Sequence, residues 1–362
     1  MKKLRLAIIG QGKSGKGIHG MFYRLPENKF FDVVAVVDEL ENRRGWAEEL
    51  YGCKDTYAHY SELYGRTDID VVINAGYSFD HYESTKNLLL HGFNVVVEKP
   101  MAKTYRDALE LIAIAKEKGV YLNIFQQTMV STQFMKLQEI IDSGIIGKPL
   151  QVNLNYTAFT YNYDWQTIQS WGGGTLWNTG PHGIGQALTL LDFDPNYEVA
   201  FSKLEHVHSA GDGEDYVKII LTAPNKPVID LEIGSSVAFP QDMYTVHGTL
   251  GSAKVHAFEY EIKYCKEEEI PTTPLSFEPL SNEKGLPMYC KAPITWYTET
   301  GKVNGRDWEE LLERYYSMLY YRLAEGKPMS ITAEKGAEVV RVLEKCSVDN
   351  PIPLKYPLYK KF

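Results

Sequence analysis

The chain has 362 residues, 44% of them hydrophobic and 23% charged, which is the composition of a soluble globular protein of about two domains. The formal net charge is −9, and lysine and arginine form no stripe, which excludes a general nucleic-acid binder. No apolar run approaches the ~20 residues of a membrane span, Arg5 breaks the N-terminal apolar run too early for a signal peptide, and the scattered Cys53, Cys265, Cys290 and Cys346 form no C-x-x-C pair, so a cytoplasmic protein without a metal site is expected.

The first third alternates strands and helices. Strands are predicted at 4–9, 31–37, 71–75, 94–97 and 120–125, as apolar runs closed by glycine or a charged residue. Helices are predicted at 17–25, 41–51, 81–91 and 105–118, stopped in turn by Pro26, Gly52, Gly92 and Gly119. Such alternation implies a Rossmann-type, doubly wound parallel sheet, here over residues 1–126. A helix at 134–143 and a glycine-rich turn then lead into a different texture. Alternating, half-exposed segments at 150–158, 198–206, 216–222, 228–236, 243–247 and 254–263 predict an open, mainly antiparallel sheet. A helix at 177–191, an irregular Pro-rich loop at 265–303 and two tail helices at 308–323 and 333–345 complete a C-terminal α/β domain at 127–362.

Three motifs carry chemistry. The first is Gly10-Gln11-Gly12-Lys13-Ser14-Gly15, a G-x-G-x-x-G between a strand and a helix. Its glycines allow a tight turn and close backbone approach, and the helix N-terminus receives a pyrophosphate. Asp38, at the end of the second strand, is placed to accept from the ribose hydroxyls and to repel a 2′-phosphate, which favours NAD, while Arg43 and Arg44 nearby keep NADP open. The rival P-loop reading fails on Gly17, where Ser or Thr is needed to hold magnesium. The second motif is Glu98-Lys99-Pro100. In isolation it reads as a solvated turn. At the carboxyl edge of a parallel sheet, Lys99 can hydrogen-bond a reacting hydroxyl and stabilise alkoxide charge. The third is the stretch from Trp171 to His182, with a glycine run at Gly172 to Gly174 and Pro181 marking a helix start. Asn178 and His182 are spaced i,i+4 and share a helix face. His182 suits general acid/base work, or else is a satisfied core histidine.

In this order the three motifs resemble the Gfo/Idh/MocA oxidoreductase family. The match runs through Gly10 to Gly15, His19, a degenerate segment ending in His81, the run Leu89 to Pro100, the turn Ser143 to Lys148, and Gly172 to His182. The resemblance implies a dinucleotide domain followed by an α/β domain with an open sheet, paired into a homodimer or homotetramer through that sheet. It implies Lys99 at the reacting carbon with a cis Pro100 bond, His182 as proton acceptor, and cofactor contact near His81 and Glu98. Two positions depart from the pattern. Asn178 stands where the family has Asp, and the usual Thr-Pro is absent at 74–76.

The expected function is an NAD(P)-dependent oxidoreductase. It would move a hydride between nicotinamide and a carbinol carbon of a sugar, cyclitol or related polyhydroxy compound. Tyr156, Tyr161, Trp165 and Trp171 are candidate walls of the substrate pocket, since aromatic faces suit sugar rings. Two other readings stand beside it: NAD-assisted glycoside elimination or hydrolysis on the same scaffold, and a non-catalytic NAD-binding sensor, which Asn178 would favour.

Overall fold

The computed structural model describes residues 2–289, 291–303 and 308–357. Strands β1 (Leu4–Ile9), β2 (Phe31–Val37), β3 (Thr56–Tyr57), β4 (Val71–Asn74), β5 (Val95–Glu98) and β6 (Leu122–Phe125) form one parallel sheet in the order β3-β2-β1-β4-β5-β6. Every residue of β4, β5 and β6 is buried. Strands buried along their whole length need cover on both faces, and the intervening helices supply it. The winding reverses between β1 and β4. There the two strand ends nearly touch: a Cβ at Gly10 (φ +84°) would lie 2.4 Å from the Ala75 carbonyl oxygen. A ligand crevice opens at such a switch point.

Local sequence accounts for most helix limits. The helix Tyr105–Lys118 begins where the Thr104 hydroxyl accepts from the Asp107 amide, and it ends at left-handed Gly119. The predicted helix at 17–25 starts instead as a π-helical turn, Gly15–His19, followed by Gly20–Arg24. Glycine permits the wide turn. A Cβ on Gly15 would lie 1.8 Å from the Gly10 carbonyl oxygen, and one on Gly20 would lie 2.0 Å from the Tyr51 hydroxyl. The tail helix Trp308–Glu325 packs on the first sheet, adding Leu312, Tyr315, Tyr316, Leu319 and Tyr320 to its core.

The second sheet holds β7 (Pro149–Thr157), β8 (Glu198–Glu205), β9 (Tyr216–Thr222), β10 (Val228–Gly234), β11 (Tyr244–Gly248), β12 (Gly251–His256), β13 (Glu259–Tyr264) and β14 (Tyr297–Lys302). Their order is β14-β13-β12-β11-β7-β10-β9-β8, antiparallel except for β7 beside β10. Helices Thr132–Asp142, Gly180–Leu190 and Ala333–Asp349 cover one face and close a second core. The other face carries ion pairs such as Lys218 with Asp230 and Glu232, and Lys254 with Glu261.

Three local expectations are corrected here. The single strand at 254–263 is a hairpin that turns at Ala257 (φ 46°), because a two-residue turn lies inside an otherwise apolar-alternating run. The irregular stretch at 265–303 ends in β14, which prolines upstream obscure and which pairing with β13 stabilises. The helix at 177–191 is two helices, Thr175–Asn178 and Gly180–Leu190, because Pro181 can only begin a helix. Cys53, Cys265 and Cys346 are free and buried, and Cys290 lies outside the described residues. No helix among the described residues is long and apolar enough to cross a membrane.

The Gly10–Gly15 approach is backbone against backbone, so no side-chain rotation relieves it. Gly15→Ala is expected to lower stability by about 3 kcal/mol. A fall in the urea midpoint at constant m-value checks this, and an unchanged midpoint contradicts it.

Candidate active site

The site grows from the end of β5. Glu98 is 4% exposed, and its carboxylate is shared. His19 donates to Oε1 through Nε2 at 3.2 Å, and the Lys99 amide donates to Oε2 at 3.0 Å. His19 itself is fully buried, and its Nδ1 pairs with the Tyr316 hydroxyl at 2.5 Å. Burial pushes the Glu98 carboxyl up. The His19 hydrogen bond and the charges of His19, Lys99 and His81 outweigh that and hold it at about 2. The carboxylate is thus ionised and serves as counter-charge for Lys99. The Lys99–Pro100 peptide is cis. His81 is buried, with Nδ1 2.8 Å from the Pro100 carbonyl oxygen and Nε2 3.2 Å from that of Gly76, so it braces the loops after β5 and β4.

Lys99 reaches across to the third motif, where its ammonium donates to the Asn178 backbone carbonyl at 2.7 Å. Burial lowers the Lys99 pKa, Glu98 opposes that, and Lys13 adds repulsion. His182, in the first turn after the break at Thr179, lies close enough to Lys99 and Glu98 to feel both charges. Burial, then the Lys99 charge, depress its imidazole to about 3, so His182 is neutral at physiological pH. Its Nδ1 is 3.0 Å from the Thr128 hydroxyl. Thr128 is held in turn, because its carbonyl accepts from the Gln186 amide while Gln186 Oε1 accepts from Tyr156 and Tyr244. Neither Thr128 nor Gln186 was legible in the sequence, since each acts through a contact that only the fold creates.

The glycine turn and Asp38 meet as expected. Asp38 is buried, and its carboxylate accepts from the Gln11 and Leu40 amides at 2.7 and 3.0 Å. Arg43 stands 3.7 Å from the same carboxylate. The residues fit an anionic dinucleotide. A Cβ on Gly12 would meet only the Arg43 guanidinium, at 3.8 Å, so backbone is open to the crevice. Lys13, exposed beside Ser14 at the helix start, faces Lys99 closely enough to repel it. An anion laid between the two ammoniums relieves that repulsion.

The aromatic candidates separate. Tyr156 lines a cavity of about 400 Å³ together with Asn178, Thr179 and Glu214. Trp165 and Trp171 line a different, apolar cavity with Tyr163 and Ile168, and they pack edge-on against Tyr77. Phe79 also meets Trp171 edge-on, so the loop lacking Thr-Pro is clasped by aromatic contact instead. Tyr161 is exposed and stacks near His208. Sequence reading passed over Glu214, which is 5% exposed and accepts from the Leu176 amide at 2.8 Å. Its sole local signal was an acidic pair, Glu214-Asp215, entering a strand.

Because the Glu98 pKa is depressed in the folded state, its stabilisation is present above the ordinary carboxylate range and is lost as pH falls toward about 2. Glu98→Gln is expected to lose about 3 kcal/mol at pH 7, where it removes the counter-charge of Lys99 and the carboxylate that His19 hydrogen-bonds. The variant should also show a flatter stability profile than the parent below about pH 4.5. Denaturant melts across pH check both, and parallel profiles contradict the assignment.

The sequence model described as an oxidoreductase family with an NAD-binding Rossmann fold matches residues 4–126, and that of the GFO/IDH/MocA C-terminal domain matches residues 134–254. The chain is 24% identical to the scyllo-inositol 2-dehydrogenase (NADP(+)) IolW of Bacillus subtilis over 94% of this chain and 92% of the relative. It is 29% identical to the 2,7-anhydro-N-acetylneuraminate hydratase of Mediterraneibacter gnavus, over 70% of this chain and 68% of the relative. In fold it is similar to the Bacillus subtilis protein yvaA, with a TM-score of 0.78 at 20% identity, covering 96% of this chain and 95% of the other. Because both domain models match in order and together span more than half of the chain, the protein belongs to the Gfo/Idh/MocA family of NAD-binding oxidoreductases.

Proposed function

We propose that the protein oxidises or reduces a carbinol carbon of a sugar, cyclitol or related polyhydroxy compound, with Lys99 and His182 as its catalytic residues. The observation that carries this reading is the convergence of a half-buried lysine and a neutral histidine at the carboxyl end of β5, beside the crevice that fits a dinucleotide. NAD, when bound, supplies the hydride acceptor or donor. Lys99 hydrogen-bonds the reacting oxygen and stabilises its developing negative charge. In the tautomer that carries its proton on Nδ1, 3.0 Å from the Thr128 hydroxyl, His182 keeps Nε2 bare to take the hydroxyl proton. The proton at rest belongs on Lys99, because a cationic His182 beside it would add a second positive charge with no carboxylate at position 178. Asn178 contributes its carbonyl to hold Lys99. Gly10 to Gly15 and Asp38 hold the dinucleotide, and the Asp38 carboxylate favours NAD over a 2′-phosphorylated cofactor. The likeness to a dehydrogenase named for scyllo-inositol supports a cyclitol or sugar substrate. The likeness to a protein named as a hydratase supports the second reading, NAD-assisted elimination or hydrolysis, in which no NADH accumulates.

A spectrophotometric screen of sugars, inositols and their keto forms with NAD and with NADP separates these readings. On the substrate so found, Lys99→Met and His182→Ala are each expected to lower turnover by roughly 10²–10⁴-fold. Near-normal rates in both would sink the assignment. Asn178→Asp restores an anion beside His182 and so raises its pKa from about 3. Oxidation needs neutral His182. The acid-side fall in kcat/KM should therefore move up by about 1–3 pH units in that variant, and an unmoved limb would show that His182 is not the proton acceptor.

A further inference from the structure

The cavity beside Asn178 has an unusual charge inventory. Among the described residues, its lining includes three carboxylate residues, Asp164, Glu214 and Asp215, and no lysine, arginine or histidine. The three are not equivalent. Asp215 accepts from the Val207, His208 and Ser209 amides and is spent on that loop. Asp164 is exposed, and its Oδ1 caps the turn at Gln166. Glu214 is nine-tenths buried, and its carboxylate accepts from two backbone amides, its own and that of Leu176 at Oε1, with no cation beside it among the described residues. Two serines of the same lining, Ser209 and Ser235, are each 7% exposed, and their buried hydroxyl oxygens have no hydrogen-bond partner among the described residues. Buried polar atoms left in this state point to a ligand that completes them.

Charge decides which ligand. A buried carboxylate without a cation is costly, and a cation brought by a ligand removes that cost. A phosphate or carboxylate brought beside Glu214 would face like charge from Glu214 and Asp215, with no basic side chain in the described lining to receive it. We infer that the substrate is an amino-bearing polyhydroxy compound without anionic groups, whose ammonium is held by Glu214 and whose hydroxyls meet Ser209 and Ser235. The inference rests on the oxidoreductase reading of this site and names its substrate class. In this arrangement the ammonium lies at Glu214 and the reacting carbinol beside Asn178, whose carbonyl the Lys99 ammonium reaches. Glu214 is the specificity-determining residue of this arrangement.

The protonation of Glu214 supplies a signature. Burial, with Asp215 and Asp212 adding repulsion, raises its carboxyl to about 7 in the absence of a ligand. The charged groups that act on it are Asp212 and Asp215 on its own loop; Asp164 and Tyr156 are the other titratable residues of the described lining, and the short helix Thr175–Asn178 brings no titratable side chain. A bound ammonium favours the ionised form, so binding near or below neutral pH releases a proton.

The test is calorimetry on the NAD-saturated protein with two matched pairs, scyllo-inosamine against scyllo-inositol and glucosamine against glucose, and with glucose 6-phosphate as the anionic probe. The amino member of at least one pair is expected to bind about 10-fold or more tightly, with proton release seen as a buffer-dependent heat. In Glu214→Gln, which keeps an oxygen for the Leu176 amide, both the preference and the proton release should vanish while the neutral member still binds. Equal binding within both pairs, binding of no probe, tight binding of the phosphate, or a preference that survives Glu214→Gln would each overturn the inference. Should that variant not fold, the buffer dependence in the parent protein decides. Absorbance at the NADH band is followed alongside. Amino-selective binding without NADH formation would count against the oxidoreductase reading alone, whereas NADH formation from neutral polyols alone would count against this inference alone.

Discussion

The structure depends on one buried carboxylate. Glu98 receives His19 from the first helical turn and the Lys99 amide from its own strand, while His19 receives Tyr316 from the tail helix. Three distant parts of the chain therefore end on one charge. Removing it would leave a buried imidazole without its acceptor and the half-buried Lys99 ammonium without a counter-charge, which is the expensive way to break an ion pair. The same contact that fastens the tail helix to the first sheet thus sets the electrostatics of Lys99. Stability and chemistry are coupled here because they share an atom group.

Charge is also what distinguishes this site from its family pattern. With Asn at position 178, the region around Lys99 and His182 contains one compensated cation and one neutral base. Carboxylates also line the neighbouring cavity, where Glu214 accepts from the first turn of the short helix that carries Asn178.

Much of the architecture was legible because its signals are local. Apolar runs of four to seven residues between glycines and prolines identify β1, β2, β4 and β5 with small errors at their ends. The helix Tyr105–Lys118 was read to the residue, since a threonine cap and a left-handed glycine bound it. Errors arose where one local signal masked another. A turn without glycine hid the β12–β13 hairpin, and prolines hid β14. The aromatic side chains could be counted but not placed: Trp165 and Trp171 belong to a cavity separate from that of Tyr156.

Sequence alone determined the fold class and placed the glycine turn beside Asp38, and it singled out Lys99 and His182 as candidates, because each is a short pattern whose meaning comes from its own spacing. Tertiary structure alone decided the rest. His19 and Tyr316 stand 297 residues apart, and Thr128 meets His182 across 54. Glu214 acquires its character only when the loop before β9 is buried against Leu176, in a cavity with no basic side chain among the described residues. A protonation state depends on burial and on neighbouring charge, and neither quantity exists until the chain has folded.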